Sequence, residues 1–347
     1  MEQLAVRLTA DAVARGDSVV VAAGPGAWSG RAVRAGAAYV ALPATSRYAA
    51  FGMTAATAHL ARCIRTVRPH VVHTHNVRAA AAARLALVMA RHRAALVPTL
   101  HGLAPGDYGP ASRILRHTAR RVIACAPSVA RSLAAAGFPH DRIDIITNGA
   151  ALPPAGQQRQ VALRARLGLG PGPVVAGIGR LVAQKNWPAF IEAAGHLAGP
   201  SYVVAGEGPQ REELVNLATR SGGQVRFVGL VDDVAALIGV ASCVVFTSAW
   251  EGLPLTLLEA LSLGAPVVAT AVDGVTDVVP PTAALLVPPG DPAAVARAIS
   301  RVLNEAGLAP GLRREALAAA AGWAPEQMLA HYRRVYQAAQ EGDHGWA

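Results

Sequence analysis

Short valine-rich runs alternate with alanine-rich stretches of helical length from one end of this 347-residue chain to the other. A run that is apolar at nearly every position suits a strand buried on both faces, and the stretch that follows supplies the crossover helix that parallel strands require. In the first half the pattern predicts strands near Ser18–Ala23, Tyr39–Leu42, His70–His75, Leu96–His101, Val122–Cys125 and Ile143–Ile146. After Pro153-Pro154-Ala155-Gly156 it predicts a second set at Val174–Gly179, Tyr202–Gly206, Val225–Gly229, Cys243–Thr247, Pro266–Thr270 and Ala284–Val287. The fold class is therefore α/β. Two Rossmann-like, doubly wound parallel-sheet domains are expected to face a cleft, with ligand at the carboxyl ends of the strands. The expected division is 1–155 and 156–324, with a helix over 325–341 completing the first domain.

Length fits two domains, each with its own core. The longest uncharged run, ending at Trp250, is shorter than the ~20 residues of a membrane span. Met1 leads into an amphipathic segment with early Glu2 and Arg7, so no signal peptide is expected. Cys63, Cys125 and Cys243 are odd in number and form no CxxC pair, which suits a reduced, cytoplasmic protein without structural zinc. The net charge of +10 is uneven: residues 1–160 hold 19 arginines against 6 acids, and the remainder carries −3. A basic first half suits an anionic membrane surface at the inner face, an acidic acceptor, or no partner at all. Nucleic acid is not expected, because there is no binding motif and no interleaving of aromatics.

Lys185 is the only lysine, set against 31 arginines. It closes the run Gly177-Ile178-Gly179-Arg180-Leu181-Val182-Ala183-Gln184-Lys185. A compact ammonium on a flexible stem can meet a phosphate oxygen where a planar guanidinium fork would not fit, although a lone lysine is equally compatible with chance or a solvated helix start. The most informative run extends from Ser248 to Val268. A strand ends near Thr247 and a loop presents Glu251; Gly252 lets backbone approach a ligand, and Pro254 suits the first turn of a helix. That helix start directs amides and the positive end of its dipole outward, which suits a diphosphate. Glu259 lies just over one turn after Leu255, and Gly264-Ala265-Pro266 ends the helix. Two carboxylates beside a phosphate site are explained by sugar hydroxyls, which donate to them. Gly24-Pro25-Gly26 and Gly177-Ile178-Gly179 are only fragments of a dinucleotide fingerprint, so a nicotinamide dehydrogenase is a poor reading.

Glu251 and Glu259 reproduce the E-x7-E signature, and Gly179-Arg180-Leu181 through Lys185 is similar to the diphosphate clamp, of the retaining GT-B glycosyltransferases of family 4. Further matches follow in order at Tyr202–Pro209, Val225–Gly229 and Leu285–Asp291, and before them at Val71–His75, Thr99–Gly102 and Ile145–Gly149. The resemblance implies a hexose-type nucleotide diphosphate sugar as donor, a hydroxyl acceptor (glycolipid, polysaccharide precursor or natural product), retention at the anomeric carbon, and no metal or other cofactor. It implies that Arg180 and Lys185 bind the diphosphate, Glu259 the ribose, Glu251 the sugar, and the backbone of Gly252, Leu253, Pro254 and Leu255 completes the donor pocket. His101 would act near the transferred sugar or leaving phosphate, and His75, Asn76 and Asn148 on the acceptor side. Histidines that end strands are as readily satisfied structural residues. The chain also has no DxD triplet for a diphosphate-bound cation.

The resemblance has two departures. Family members usually open with a short strand and a Gly-Gly loop, whereas Met1 here falls inside the following helix, and a missing interior strand would leave backbone groups unpaired. In Val272-Asp273-Gly274-Val275-Thr276-Asp277, Asp273 stands at a usual glycine and Asp277 at a usual glutamate. A nucleotide-sugar epimerase and a catalytically impaired nucleotide-binding partner of a transferase are the alternatives.

Overall fold

The computed structural model describes residues 2–26, 28–43 and 49–341, with only the backbone of 49–53; Met1 lies outside them. Contacts divide the chain into two compact units. The first holds the residues up to Cys125, Val129–Ile146 and the chain from Leu329; the second holds Ala126–Ser128 and Thr147–Met328. The segments 147–155 and 325–328 thus group with the second unit, although the expected boundary placed them with the first.

The first half runs α1 (Glu2–Ala14), β1 (Val20–Ala23), α2 (Ser29–Arg34), β2 (Ala38–Ala41), α3 (Ala49–Val67) and β3 (Val71–Thr74). It continues through α4 (Val77–Ala90), β4 (Ala95–Leu100), α5 (Tyr108–Thr118), β5 (Val122–Ala124), α6 (Pro127–Ala135) and β6 (Ile143–Ile145). The second half runs α7 (Gln157–Arg166), β7 (Val174–Ile178), α8 (Trp187–Gly195), β8 (Ser201–Ala205), α9 (Arg211–Arg220) and β9 (Val225–Gly229). Then come α10 (Val234–Val240), β10 (Cys243–Phe246), α11 (Leu255–Ser262), β11 (Val267–Thr270), α12 (Asp273–Thr276) and β12 (Leu285–Val287), followed by α13 (Pro292–Asn304), α14 (Leu308–Ala320) and α15 (Pro325–Glu341). Every expected strand is present within two residues of its expected ends. His75, His101, Gly179 and Gly206 fall just past the strands and enter the loops.

In the second unit all six strands pair in parallel in the order β12-β11-β10-β7-β8-β9. Reading outward from β7, the chain fills one side with β8 and β9, then returns to β10 and fills the other. This is the doubly wound order, and the reversal between β7 and β10 is the topological switch point. β7, β10 and β11 are buried along their whole length, as continuous apolar runs require. The core above them holds Trp187, Phe190, Tyr202 and Leu214.

The first unit departs from a single six-stranded sheet. β1 and β2 form a parallel pair of their own, and β3-β4-β5-β6 form a separate parallel sheet. β1 pairs with β2 and β3 with β4, so neither ladder reaches the other, and both β1 and β3 stay half-exposed where β5 is fully buried. Helix α4 packs between α3 and α5. Its buried Ala86 and Leu87 meet Ala61 and Ile64 of α3.

Helix α15 is tied to this unit by polar contacts from two residues one turn apart. Arg333 donates to both carboxylate oxygens of Asp11 on α1, at 3.1 and 2.6 Å. His73 on β3 pairs through Nδ1 with the Tyr336 hydroxyl at 2.5 Å and through Nε2 with the Thr99 hydroxyl at 2.8 Å. Burial pushes the Tyr336 phenol up, so it stays protonated, and burial holds the His73 imidazole well below its ordinary range, so it stays neutral. A neutral ring with one donor and one acceptor nitrogen is thereby fully satisfied. Tyr336→Phe removes one partner and is expected to cost about 1–3 kcal/mol. A lowered urea midpoint at unchanged m-value would show it.

Candidate active site

The loops after β7 and β10 emerge side by side at the switch point of the second unit, and they carry most of the sequence-predicted donor residues. Lys185 ends the turn after β7, and its ammonium forms an ion pair with the Glu251 carboxylate from the loop after β10. Both side chains are largely withdrawn from water, at 15% and 6% exposure. Two further donors converge on the same carboxylate. The Ser248 hydroxyl donates to Oε1 at 2.7 Å, and the Gln184 amide donates to Oε2 at 3.2 Å while also reaching the Trp250 carbonyl at 3.1 Å. The sequence assigned Lys185 and Glu251 to different parts of a donor; in the free protein they neutralise each other.

Backbone bonds lock these loops together. Ala249 N–H donates to the Gln184 carbonyl at 2.9 Å. Thr247 Oγ1 donates to the carbonyls of Lys185 and Asn186, and Thr270 Oγ1 to that of Ser248. Asn186 adopts a left-handed φ of 47°, which turns the chain from the Lys185 loop into α8. The Trp187 indole donates to the Arg180 carbonyl at 2.8 Å, while the Arg180 side chain is exposed.

Two glycines set how closely the loops approach. A Cβ on Gly208 would lie 2.3 Å from the Leu181 carbonyl oxygen, and one on Gly274 would lie 1.7 Å from that of Gly252. Gly274 is therefore the support under the Glu251-Gly252 turn. In the same segment the Asp277 carboxylate accepts the Ser128 amide, both in the second unit, so the shorter acid is in use as a helix-start acceptor.

Helix α11 starts one residue later than the sequence suggested. Pro254 is its cap in extended conformation and not its first residue. Leu257 makes the first amide bond, back to the Pro254 carbonyl at 3.1 Å, which leaves the Leu255 and Thr256 amides ahead of the helical ladder. Gly252, Leu253 and Pro254 are buried, and Glu259 is only 3% exposed. Gly264, with φ 68°, ends the helix.

Four residues expected outside the donor loops resolve differently from one another. Asn148 belongs to the second unit, where it is buried and donates to the Leu253 carbonyl at 3.0 Å, in the loop after β10. Asn76 caps α4 by accepting the Ala79 amide at 2.7 Å, which accounts for it structurally. His75 and His101 stand at the ends of the neighbouring strands β3 and β4, and their rings hydrogen-bond through Nδ1 and Nε2 at 3.2 Å. Burial lowers both imidazoles, His75 to about 4 and His101 well below its ordinary value. Each is neutral at pH 7, so one donates and the other accepts. Among the described residues no three His, Cys, Asp or Glu side chains group as metal ligands, and no helix is long and apolar enough to cross a membrane. Sequence reasoning missed Ser248, Gln184 and Gly274 as supports. All three lie within or beside the motifs, but Gln184 and Gly274 meet partners on other loops, and Ser248 meets Glu251 through a local turn that the sequence does not announce.

The family described as Glycosyltransferase Family 4 matches residues 1–152, and that described as Glycosyl transferases group 1 matches residues 172–305. The 2-deoxystreptamine N-acetyl-D-glucosaminyltransferase of Streptomyces fradiae is 32% identical over 322 residues, covering 82% of this chain and 75% of that protein. The chain belongs to the family-4 glycosyltransferases. The D-inositol 3-phosphate glycosyltransferase of Salinispora arenicola is 36% identical over 208 residues, or 50% of this chain and 46% of that protein. The crystal structure of Anabaena HepE in complex with UDP-glucose superposes with a TM-score of 0.86 at 20% identity, covering 97% of this chain and 95% of that one. This likeness shows the GT-B fold of this glycosyltransferase, whose general reaction takes a sugar from a nucleotide-sugar donor to an acceptor.

Two outcomes are expected of this geometry. Gly274→Ala must displace backbone at Gly252 and is expected to destabilise the transferase by at least about 1–3 kcal/mol, whereas Gly106→Ala, with nothing within 4 Å, is expected to be neutral; urea midpoints compare them. The lowered histidines give a second. Unfolded, they titrate near 6.5, so below that pH the unfolded chain binds protons that the folded chain refuses. Stability is thus full above pH 6.5 and is lost as pH falls towards 4. Urea midpoints at pH 7.5, 6.0 and 5.0 should fall in that order, and less steeply in His75→Gln.

Proposed function

We propose that this glycosyltransferase moves a hexose-type sugar from a nucleoside diphosphate sugar to a hydroxyl acceptor with retention of anomeric configuration. The observation that carries the proposal is the Lys185–Glu251 pair at the β7/β10 switch point, next to the open start of α11. In the free protein each charge answers the other. A diphosphate offers Lys185 a second anion; Glu251, still held by Ser248 and Gln184, is then left to accept sugar hydroxyls. Arg180, exposed on the same loop, meets the diphosphate with Lys185, and the Leu255 and Thr256 amides add the positive end of the helix dipole. Glu259 accepts from the ribose hydroxyls.

In the transfer step the bond from the anomeric carbon to the diphosphate oxygen breaks, and a bond to the acceptor oxygen forms on the same face. The acceptor's proton passes to the departing diphosphate, whose growing charge Arg180 and Lys185 stabilise. His101, kept neutral by burial and hydrogen-bonded to His75, acts as an uncharged hydrogen-bonding partner to the sugar or leaving phosphate. No metal is needed for the charge on the leaving group, since two cations and a helix start are assigned to it. The name of the Streptomyces fradiae relative supports an aminocyclitol among the acceptors to try, alongside glycolipid and polysaccharide precursors.

Lys185→Ala is expected to lose ~10²–10³ in transfer rate, the usual effect of one preorganised contact to developing charge, or ~2.7–4 kcal/mol. Thermal shifts with UDP, GDP, ADP and dTDP and their sugars select the donor, and 2-deoxystreptamine is among the acceptors assayed. Wild-type rates in the variant would remove the clamp from the mechanism, and epimerised donor formed without acceptor would replace the transfer reaction altogether.

A further inference from the structure

We propose that the outer face of the α3–α4–α5 layer docks on an anionic lipid bilayer. Helix α4, Val-Arg-Ala-Ala-Ala-Ala-Ala-Arg-Leu-Ala-Leu-Val-Met-Ala, is apolar nearly all round. Such a helix is ordinarily enclosed. Here only one side is: Ala80, Ala83, Ala86 and Leu87 are buried, while Leu85, Val88 and Met89 are 53%, 58% and 48% exposed. These three lie at spacings of three and four and form one outward stripe. Ile114 on the adjacent α5 is 41% exposed as well.

The helices that carry and adjoin the stripe are strongly basic. From residue 49 to 120 the sequence carries ten arginines and one acid, Asp107. Exposed arginines flank the stripe on its own helix at Arg78 and Arg84, on α3 at Arg62 and Arg65, and on α5 at Arg113 and Arg116. The three helices pack side by side in one layer, α4 in the middle. An apolar centre ringed by cations matches the boundary of an anionic bilayer, where side chains such as Leu and Met enter the acyl edge and arginines meet the headgroups. A second copy of the chain fits poorly, because two such faces would set arginine against arginine. Nucleic acid would leave the apolar centre without a partner. The proposal stands apart from the donor site, which lies in the other unit.

The test is flotation of the full chain with vesicles of phosphatidylcholine alone and with about one third phosphatidylglycerol, at 0.1 and 0.5 M NaCl. Screening weakens exposed charges over this range. Binding is expected with the anionic vesicles, weakened by salt, and is expected to drop at least about tenfold in Leu85→Asp/Val88→Asp and in Arg113→Gln/Arg116→Gln. Because these positions are exposed, both variants should keep the parent's urea midpoint and its thermal shift with donor nucleotide. Equal recovery on the two vesicle types, no flotation, or unchanged binding by folded variants would overturn the proposal. So would a dimer in sedimentation equilibrium that Leu85→Asp/Val88→Asp abolishes, since the stripe would then belong to self-association.

Discussion

Lys185 and Glu251 are two charges that the second unit withdraws from water together, and the loops after β7 and β10 are arranged around that fact. An unpaired charge at such a place costs several kcal/mol, and the pair is tolerated because each partner is met and the remaining carboxylate capacity is filled. Ser248 and Gln184 supply that filling. Thr247 and Thr270 then anchor the backbone that carries them, and Gly274 gives the turn room to sit against α12. Loosening any of these supports would leave the carboxylate less well satisfied, so the loops are held together for an electrostatic reason as much as a packing one.

The switch-point topology explains why these residues meet at all. Lys185 follows β7 and Glu251 follows β10, 66 positions later, yet the doubly wound order makes those strands immediate neighbours. Two loops that leave adjacent parallel strands in the same direction can converge on one ligand, whereas loops after β8 or β11 lie one strand further out. In the first unit the same rule brings His75 and His101 together at the ends of β3 and β4.

The strands were legible because each is a short apolar run bounded by Gly, Pro or a polar residue, and burial on both faces enforces such runs. Their grouping in the first unit was less so: period and composition say that β1 and β3 are strands, but pairing is a tertiary property, and each has only one neighbour. The loops that follow β7 and β10 were legible from Gly252, Pro254 and the two glutamates as the place to propose a donor site, because those residue types are hard to explain otherwise. Asn148 was not. Its side chain reaches 105 positions along the chain to the Leu253 carbonyl, and nothing in its local sequence points there. Asn76 has a local account as well, since an asparagine before an alanine-rich helix is explained by capping.

Three histidines of the first unit, His73, His75 and His101, show how one residue type differs in what it leaves open to a ligand. His73 has both nitrogens engaged, by Tyr336 and Thr99, and so has nothing left to offer a ligand. His75 and His101 each spend one nitrogen on the other, which leaves one nitrogen apiece. If His75 donates, His101 carries its own proton on Nδ1 and presents a donor there; if His75 accepts, His101 presents a bare acceptor. The tautomer of the pair therefore sets the polarity of the free nitrogen of His101 without any change in charge. On the transfer reaction proposed above, in which the leaving group gains negative charge, the donor form of His101 is the one that would lower the barrier. His75 then matters as the residue that selects it, and a substitution that can only donate should be tolerated better at position 75 than one that can only accept.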